Sequence, residues 1–271
     1  TRSLDAAGEH LWPQAPVYIA SLPSDDSDRQ LQVAMRLREL GLRPVPHIVA
    51  RNVPSEAALA RAIERFARLG GVDRALLLGG DRDLPAGAFS SAIQLMRSGV
   101  FEANGIGRVA IACYPEGHPR IADDMLDAAL MEKLETAAAR GLNVRLVTQL
   151  CFEPAPILRY VKSLRARGVR ADLRVGLAGP ASATTLLKYA AICGVGPSLR
   201  ALRQRTGMAA GLLKAVAPDA IVAGLAHAQA REPSLAITGL HFFTFARLQG
   251  TIDWATKARA RYRSAMQAEG C

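Results

Sequence analysis

Short apolar runs alternate with longer amphipathic segments along most of the chain. The short runs are rich in Leu, Val and Ile, as in ALLL at residues 75–78, and they have the length of buried strands. The longer segments place apolar residues three and four positions apart, which is the spacing of a helix with one buried face. Strands and helices that alternate in this way form parallel sheets, so the pattern predicts an α/β fold.

The pattern predicts seven strands, each followed by a helix. The strands are expected at residues 17–21, 44–50, 74–79, 108–113, 144–150, 173–178 and 236–242. The helices are expected at residues 28–40, 55–69, 88–97, 122–140, 155–167, 182–192 and 252–266. Two extra helices, at residues 197–216 and 218–230, occupy the region before the last strand. These elements favour one large domain over residues 1–271.

A (β/α)8 barrel, or TIM barrel, is the architecture that this order favours. Such a barrel needs eight strands, and residues 4–11 have the pattern of a short helix, so we expect the first strand to lie upstream of Thr1. A doubly wound open sheet is the alternative. The G-x-G-x-x-A match at residues 105–110 gives that alternative little support. It precedes a strand, whereas a dinucleotide-binding glycine motif opens a helix.

The composition is globular, and no long uncharged apolar segment or secretory signal is found, which predicts a soluble protein. The four cysteines are widely spaced, without a CxxC pair or a Cys/His cluster. Neither a metal site nor a disulfide framework is therefore predicted, and a reducing cytoplasm is the expected location.

The net charge of +10 is compatible with nucleic acid, an anionic membrane surface or an acidic small molecule as partner. Most of the basic residues are arginines spread along the predicted helices, and only 5% of residues are aromatic, which argues against stacking on bases. We expect an anionic small-molecule ligand, with no nucleic acid and no membrane partner. A homo-oligomer is compatible with the sequence.

Polar side chains gather where five of the predicted strands end, which is where (β/α)8 proteins place their catalytic groups. Each of them alone has an ordinary structural explanation, such as a turn, a helix cap or a buried hydrogen bond. Their coincidence at five strand ends favours a functional site. The residues are His47, Arg51, Asp81, Asp83, Tyr114, Glu116, His118, Thr148, Gln149, His241, Thr244 and Arg247.

Glycine and proline residues at two of these strand ends indicate the kind of ligand. Gly79 and Gly80 remove side chains where the chain turns, so a flat ring or a phosphate can approach the backbone. Pro115 and Pro119 restrict the turn from Tyr114 to His118, which lowers the entropy cost of ligand binding. This combination suits a large planar cofactor.

The ordered motifs resemble those of the 5,10-methylenetetrahydrofolate reductase family. The resemblance extends from His47 to Arg247, and its most specific parts are Tyr-Pro-Glu-Gly-His-Pro and Thr-Gln. The motifs in chain order are Pro46-His47, Gly80-Asp81, Leu84-Pro85, residues 114–119, Thr148-Gln149 with Phe152, residues 241–244, and Arg247.

This resemblance implies a (β/α)8 flavoprotein that passes a hydride from NADH or NADPH through FAD to methylenetetrahydrofolate. The product is 5-methyltetrahydrofolate, and the reaction could run in reverse. The family further implies a catalytic role for Asp81, which would tune the flavin. It implies FAD contacts from His47, Gly80, Asp81, Tyr114, His118 and Lys133, and folate contacts from Gln149, Phe242 and Arg247.

Three segments depart from the family's pattern. The family's acidic residue on the first strand has no counterpart here, so we expect the general acid upstream of Thr1. Asp83 could share the role of Asp81, and residues 194–200 differ from the loop that stacks on the ligands in familiar members. The alternatives are therefore a flavin-independent folate reductase, or a non-catalytic basic barrel that binds nucleic acid or an anionic ligand.

Overall fold

The computed structural model describes residues 2–21, 27–195, 215–245 and 247–269. Two single 3₁₀ turns, Ala50–Asn52 and Pro233–Leu235, supplement the regular elements. In chain order these are α1 (Arg2–His10), β1 (Pro16–Ile19), α2 (Ser27–Glu39), β2 (Arg43–Val49), α3 (Glu56–Arg68), β3 (Arg74–Leu78), α4 (Ala92–Arg97), α5 (Val100–Ala103), β4 (Arg108–Cys113), α6 (Asp123–Ala139), β5 (Asn143–Thr148), α7 (Pro154–Ala166), β6 (Asp172–Ala178), β7 (Ala181–Ser182), α8 (Ala183–Cys193), β8 (Ala215–Val216), α9 (Asp219–Arg231), β9 (Ile237–Phe243) and α10 (Leu248–Glu269).

The chain forms two compact units that are interleaved in sequence. The first unit contains Trp12–Cys113 and Asp123–Val147, and the second contains Thr1–Leu11, Tyr114–Ala122 and Thr148–Cys271. The prediction of a single domain over residues 1–271 stays a prediction.

The first unit is a parallel sheet with helices between its strands. Its strands lie in the order β1-β2-β3-β4-β5, and the first four pair in parallel. Leu76, Ala110 and Val147 form a small buried cluster on one face of this sheet, and Tyr18 and Leu78 pack against it. Leu77 and Ile111, which pair with each other on the opposite face, are buried as well. These strands are therefore apolar on both faces, which is why they appear in the sequence as unbroken apolar runs.

The second unit holds two further parallel strands, β6 and β9, and a short antiparallel pair, β7 and β8. The guanidinium of Arg165 on α7 connects the segment before β9 to the segment that follows α7. It donates hydrogen bonds to the carbonyl oxygens of Leu235, Ala236, Val169 and Ala171, at 2.8 to 3.2 Å. These four bonds fix the entry into β9.

The alternation of parallel strands and helices confirms the predicted α/β class, and the element order is that of a partial (β/α)8 barrel. All seven predicted strands are confirmed, with ends within two residues of those expected. The helix at the start of the chain is also confirmed. No helix within the described ranges is long and apolar enough to cross a membrane.

One prediction about the elements is wrong, and two details were missed. Residues 215 and 216 were expected to end a helix, but they form β8 because they pair with Ala181 and Ser182. The rest of that predicted helix lies outside the described residues. The helix expected from residue 88 begins at Ala92, because Ser91 forms a capping box with Gln94. The one-turn helix α5 was not predicted.

Candidate functional site

His47 lies on the same face of the first unit's sheet as the buried apolar cluster. It pairs with Leu76 in the parallel register, and Leu76 pairs with Ala110. The ring of Tyr18 approaches that of His47 edge-on, with 6.1 Å between centroids. The Nε2 atom of His47 is buried and has no hydrogen-bond partner among the described residues. A buried polar atom of this kind is costly unless a ligand or water satisfies it.

Burial lowers the pKa of His47 from 6.5 to about 4, so the imidazole is neutral at pH 7. Between those two values the unfolded chain binds a proton that the folded protein excludes. Stability therefore rises with pH in this window and is lost as the pH falls.

We expect His47→Gln to remove part of this pH dependence. The contribution of His47 is about 3 kcal/mol between pH 7 and pH 4, from the linkage of pKa to stability. The measurement is the free energy of urea unfolding at several pH values for the wild type and the variant. Parallel pH profiles for the wild type and His47→Gln would contradict a neutral, buried His47.

The turn after β3 requires glycine at position 80. Gly80 has a φ of +104°, and a Cβ there would lie 2.5 Å from Cγ1 of Val49. The Arg51 amide donates a hydrogen bond of 3.0 Å to the carbonyl oxygen of Gly79, so the turn is held against the end of β2. Asp81 follows at once and is exposed. The glycine at position 80 is therefore explained by its backbone conformation and by Val49, and the approach of a ligand to this turn stays a prediction.

Arg51 braces the loop that carries Asp81. Its guanidinium donates to the carbonyl oxygens of Arg82 at 2.9 Å, Asp83 at 3.1 Å and Ser90 at 3.1 Å. One side chain thus closes the loop between residues 82 and 90. The sequence placed Arg51 at the end of a strand but did not indicate this role. Its acceptors are backbone carbonyl groups, which every residue type has.

Lys133 lies on α6, partly buried beside the end of β4. Burial lowers the pKa of Lys133, and its interactions with Cys113 and Glu132 act in the opposite direction. Cys113 is the last residue of β4 and is buried. A partly desolvated ammonium group at the carboxyl end of a strand is suited to binding an anion.

The turn from Tyr114 to His118 belongs to the second unit. The two rings meet edge-on, with centroids 5.3 Å apart, and Gly117 closes the turn with a φ of +79°. Nδ1 of His118 accepts a hydrogen bond from the amide of Arg120 at 3.2 Å. In the neutral imidazole the proton therefore resides on Nε2. His118 can donate to a ligand acceptor from that atom.

The Thr-Gln motif is fixed by backbone contacts in the second unit. The Thr148 hydroxyl accepts from the amide of Gly176 at 2.8 Å and donates to the carbonyl oxygen of Gln149 at 2.9 Å. The side-chain oxygen of Gln149 accepts from the amide of Leu150 at 2.8 Å. This last bond orients the side-chain amide of Gln149.

Alternate residues of β9 face opposite sides. His241 and Phe243 pair with Gly176 and Ala178, and their own rings meet at 5.0 Å. Phe242 faces the other side, where its ring meets that of Trp254 on α10 at 5.4 Å. The substrate contact expected of Phe242 stays a prediction. The phenylalanine on the side of Gly176 is Phe243, next to His241.

An aromatic stack that the sequence did not predict lies after β9. The rings of Tyr189 and Phe245 stack at 3.9 Å, and Phe243 and Phe245 are nearly parallel at 6.3 Å. Phe245 has a φ of +45°, a conformation that costs a bulky side chain on the order of 1–3 kcal/mol. Such strain marks this stack as a candidate ligand contact. Only the aromatic character of Phe243 and Phe245 could have signalled it.

Arg247 lies exposed two residues beyond Phe245. Its amide donates to the carbonyl oxygen of Thr244 at 2.7 Å, and its carbonyl oxygen accepts from the amide and hydroxyl of Thr251 on α10. The side chain is thus presented to solvent from a fixed backbone.

The expected residues divide between the two units. In the first unit, His47 lies within β2, Gly80 and Asp81 follow β3, and Lys133 lies on α6. The second unit contains Tyr114, His118, Gln149 and Arg247, each in a segment that follows a strand. That these residues form one site stays a prediction. The sequence model of the methylenetetrahydrofolate reductase family matches residues 21–253. The chain belongs to this family, as its motifs indicated.

Two solved structures match the chain at low sequence identity. One is an uncharacterized protein from Clostridium thermocellum that binds two copies of 5-methyl-5,6,7,8-tetrahydrofolic acid. It is 12% identical, the match covers 96% of this chain and 87% of that protein, and the TM-score is 0.58. The other is described as a "putative lyase/mutase" from Burkholderia cenocepacia J2315. It is 14% identical over 99% of this chain and 80% of that protein, with a TM-score of 0.47.

Proposed function

We propose that this protein is a methylenetetrahydrofolate reductase that uses FAD and NADH or NADPH. It forms 5-methyltetrahydrofolate from 5,10-methylenetetrahydrofolate, or runs this reaction in reverse. The observation that carries the proposal is the family match over residues 21–253. A protein of similar fold binds methyltetrahydrofolate, which supports folate as the substrate class.

The residues of the first unit fit a flavin. The buried Nε2 of His47 has no partner among the described residues and can donate to, or accept from, a heterocycle. The backbone at Gly79, where a Cβ would meet no atom within 4 Å, leaves room for a flat ring to approach, and Lys133 can bind the pyrophosphate of FAD. FAD held by these residues would supply a two-electron carrier between the nicotinamide and the folate.

The residues of the second unit fit the substrate. The side-chain amide of Gln149 is oriented by its bond to Leu150 and can pair with the donors and acceptors at a pterin edge. The exposed side chain of Arg247 can bind a carboxylate of the glutamyl tail. The net charge of +10 also favours an anionic substrate of this kind.

A spectral titration tests the proposal. Protein purified with FAD should absorb at about 450 nm and lose this band under anaerobic conditions when NADH, NADPH or methyltetrahydrofolate is added. The nucleotide that bleaches the band faster is the physiological donor. A colourless protein that still oxidises NADPH in the presence of methylenetetrahydrofolate would point to a flavin-independent reductase. A protein that binds neither flavin nor folate would overturn the proposal.

A further inference from the structure

A layer of arginines lies at the amino-terminal ends of neighbouring strands in the first unit. Arg74 on β3 pairs with Arg108 on β4 in the parallel register. These two residues and Arg145 on β5 each precede one residue of the small buried cluster by two positions. Because side chains alternate along a strand, the three arginines lie on the same face as the cluster. The layer lies about 13 Å along β3 from Leu78, and the candidate site residues follow that end of the strand.

A cavity of about 30 Å³ lies beside this layer. Arg74, Arg108 and Arg145 line it, together with Tyr18 and Asn143. Among the described residues that line it, none carries a carboxylate. Arg108 and Asn143 are exposed, so the cavity is accessible from solvent. Its volume is about the space that one water molecule occupies, so a single small group, such as one oxygen of a larger anion, can enter.

Asp73 orients two of the guanidinium groups without balancing their charge. Its carboxylate accepts hydrogen bonds from Nε and Nη2 of Arg74 at 2.9 and 3.0 Å, and from Nη1 of Arg108 at 2.6 Å. The hydrogen bond from Arg74 is the main reason that the pKa of Asp73 is lowered to about 2, while burial acts in the opposite direction and the charge of Arg43 adds to the lowering. The carboxylate is therefore ionised at pH 7. Two arginines share this one negative charge, and Nη1 of Arg74 and Nη2 of Arg108 are not used in these bonds.

The excess of positive charge indicates an anionic ligand. Like charges directly opposite each other on neighbouring strands are destabilising, and Arg74 and Arg108 are such a pair. The side chain of Arg74 is only 13% exposed, so solvent screens its charge weakly. An anion bound between the two arginines would offset their repulsion. A guanidinium group presents parallel N–H donors, which match the oxygens of a phosphate.

We propose that this cavity is a binding site for a phosphate group, with Arg74 and Arg108 as its principal ligands. One phosphate oxygen enters the cavity, and the others lie at its mouth, where the exposed side chains of Arg108 and Asn143 can donate hydrogen bonds. The phosphate can be free or carried by a larger molecule, because only one oxygen needs to enter. Neither flavin nor folate is needed to fill the site, so it is independent of the proposed reductase activity.

Calorimetric titration of the full chain with inorganic phosphate tests the site, with chloride as the background anion at constant ionic strength. The wild type should bind phosphate saturably, and Arg108→Gln should bind it at least about tenfold more weakly, because charge-assisted hydrogen bonds are lost. The side chain of Arg108 is 59% exposed, so we expect this variant to fold. Arg61→Gln is the matched control, since Arg61 is an exposed arginine on α3 of the same unit and the change in net charge is identical. Non-saturable binding to the wild type, or equal affinities of Arg108→Gln and Arg61→Gln, would overturn the proposal.

Two further measurements separate this site from the proposed FAD contact and identify the form of the ligand. Lys133→Gln changes the residue expected to bind the pyrophosphate of FAD and should retain phosphate binding. Loss of binding in Lys133→Gln, with Arg108→Gln unaffected, would place the phosphate beside Lys133 and contradict the assignment. Methyl phosphate is the matched probe for inorganic phosphate: binding of both means that a larger molecule can carry the group, and binding of inorganic phosphate alone means that the site takes the free ion.

Discussion

Replacement of Gly176 by alanine is expected to lower the free energy of unfolding by about 3 kcal/mol or more, and to abolish folate binding. A Cβ at this position would lie 2.2 Å from the carbonyl oxygen of Thr148, 3.0 Å from that of Gln149 and 2.9 Å from the ring of Phe243. Two of these three neighbours are backbone atoms, so no change of side-chain rotamer can relieve the clash.

The clash would also break hydrogen bonds that define the Thr-Gln motif. The amide of Gly176 donates to the hydroxyl of Thr148, and its carbonyl oxygen accepts from the amide of Cys151 at 3.2 Å. Displacement of β6 by the added methyl group weakens both bonds and moves the backbone that presents Gln149. Stability and substrate binding are therefore expected to fall together.

Gly239→Ala is the matched control, because Gly239 lies on β9, which is paired with β6. The nearest atoms to a Cβ at Gly239 belong to the side chain of Arg174, at 3.7 to 3.9 Å, which is ordinary van der Waals contact. Urea unfolding and methyltetrahydrofolate binding are measured for both variants. A Gly176→Ala protein as stable as Gly239→Ala would show that Gly176 and the carbonyl oxygen of Thr148 do not approach as closely as described.

The sequence predicted the strands well because burial of a parallel strand on both faces leaves an unbroken apolar run. Residues 75–78 illustrate this, since Leu76 and Leu77 are both buried although they face opposite sides of the sheet. The pair of β7 and β8 was missed because its two strands are only two residues long and are far apart in sequence. No local sequence pattern predicts a pairing between two segments this short and this distant.

The candidate site was predictable only in part. Polar residues at the carboxyl ends of strands could be found because the fold class places chemistry there. Which face of a strand a residue occupies depends on register, and a shift of one residue separates Phe242 from Phe243. The brace formed by Arg51 and the stack of Tyr189 on Phe245 depend on backbone acceptors and on distant partners, so neither could be found from the sequence.

Replacement of Asp81 by asparagine is expected to raise the reduction potential of bound flavin and to slow reoxidation by methylenetetrahydrofolate, by about tenfold or more. In the proposed flavin site the Asp81 carboxylate would disfavour negative charge on the ring, and asparagine would remove this repulsion at nearly constant size. The reduced cofactor then becomes more stable and a poorer hydride donor. Bleaching by NADH or NADPH should be as fast as in the wild type, or faster.

Asp83→Asn is the matched control, because Asp83 lies in the same braced loop and is also exposed. The potential is measured by spectral titration against a dye, and the two half-reactions are followed separately by stopped flow. In both variants Arg51 keeps its hydrogen bonds to the loop, because its acceptors are the backbone carbonyl groups of Arg82 and Asp83. If the reduction potential changes only in Asp83→Asn, the electrostatic role belongs to Asp83. If the potential is unchanged in both variants, neither of the two carboxylates has this role.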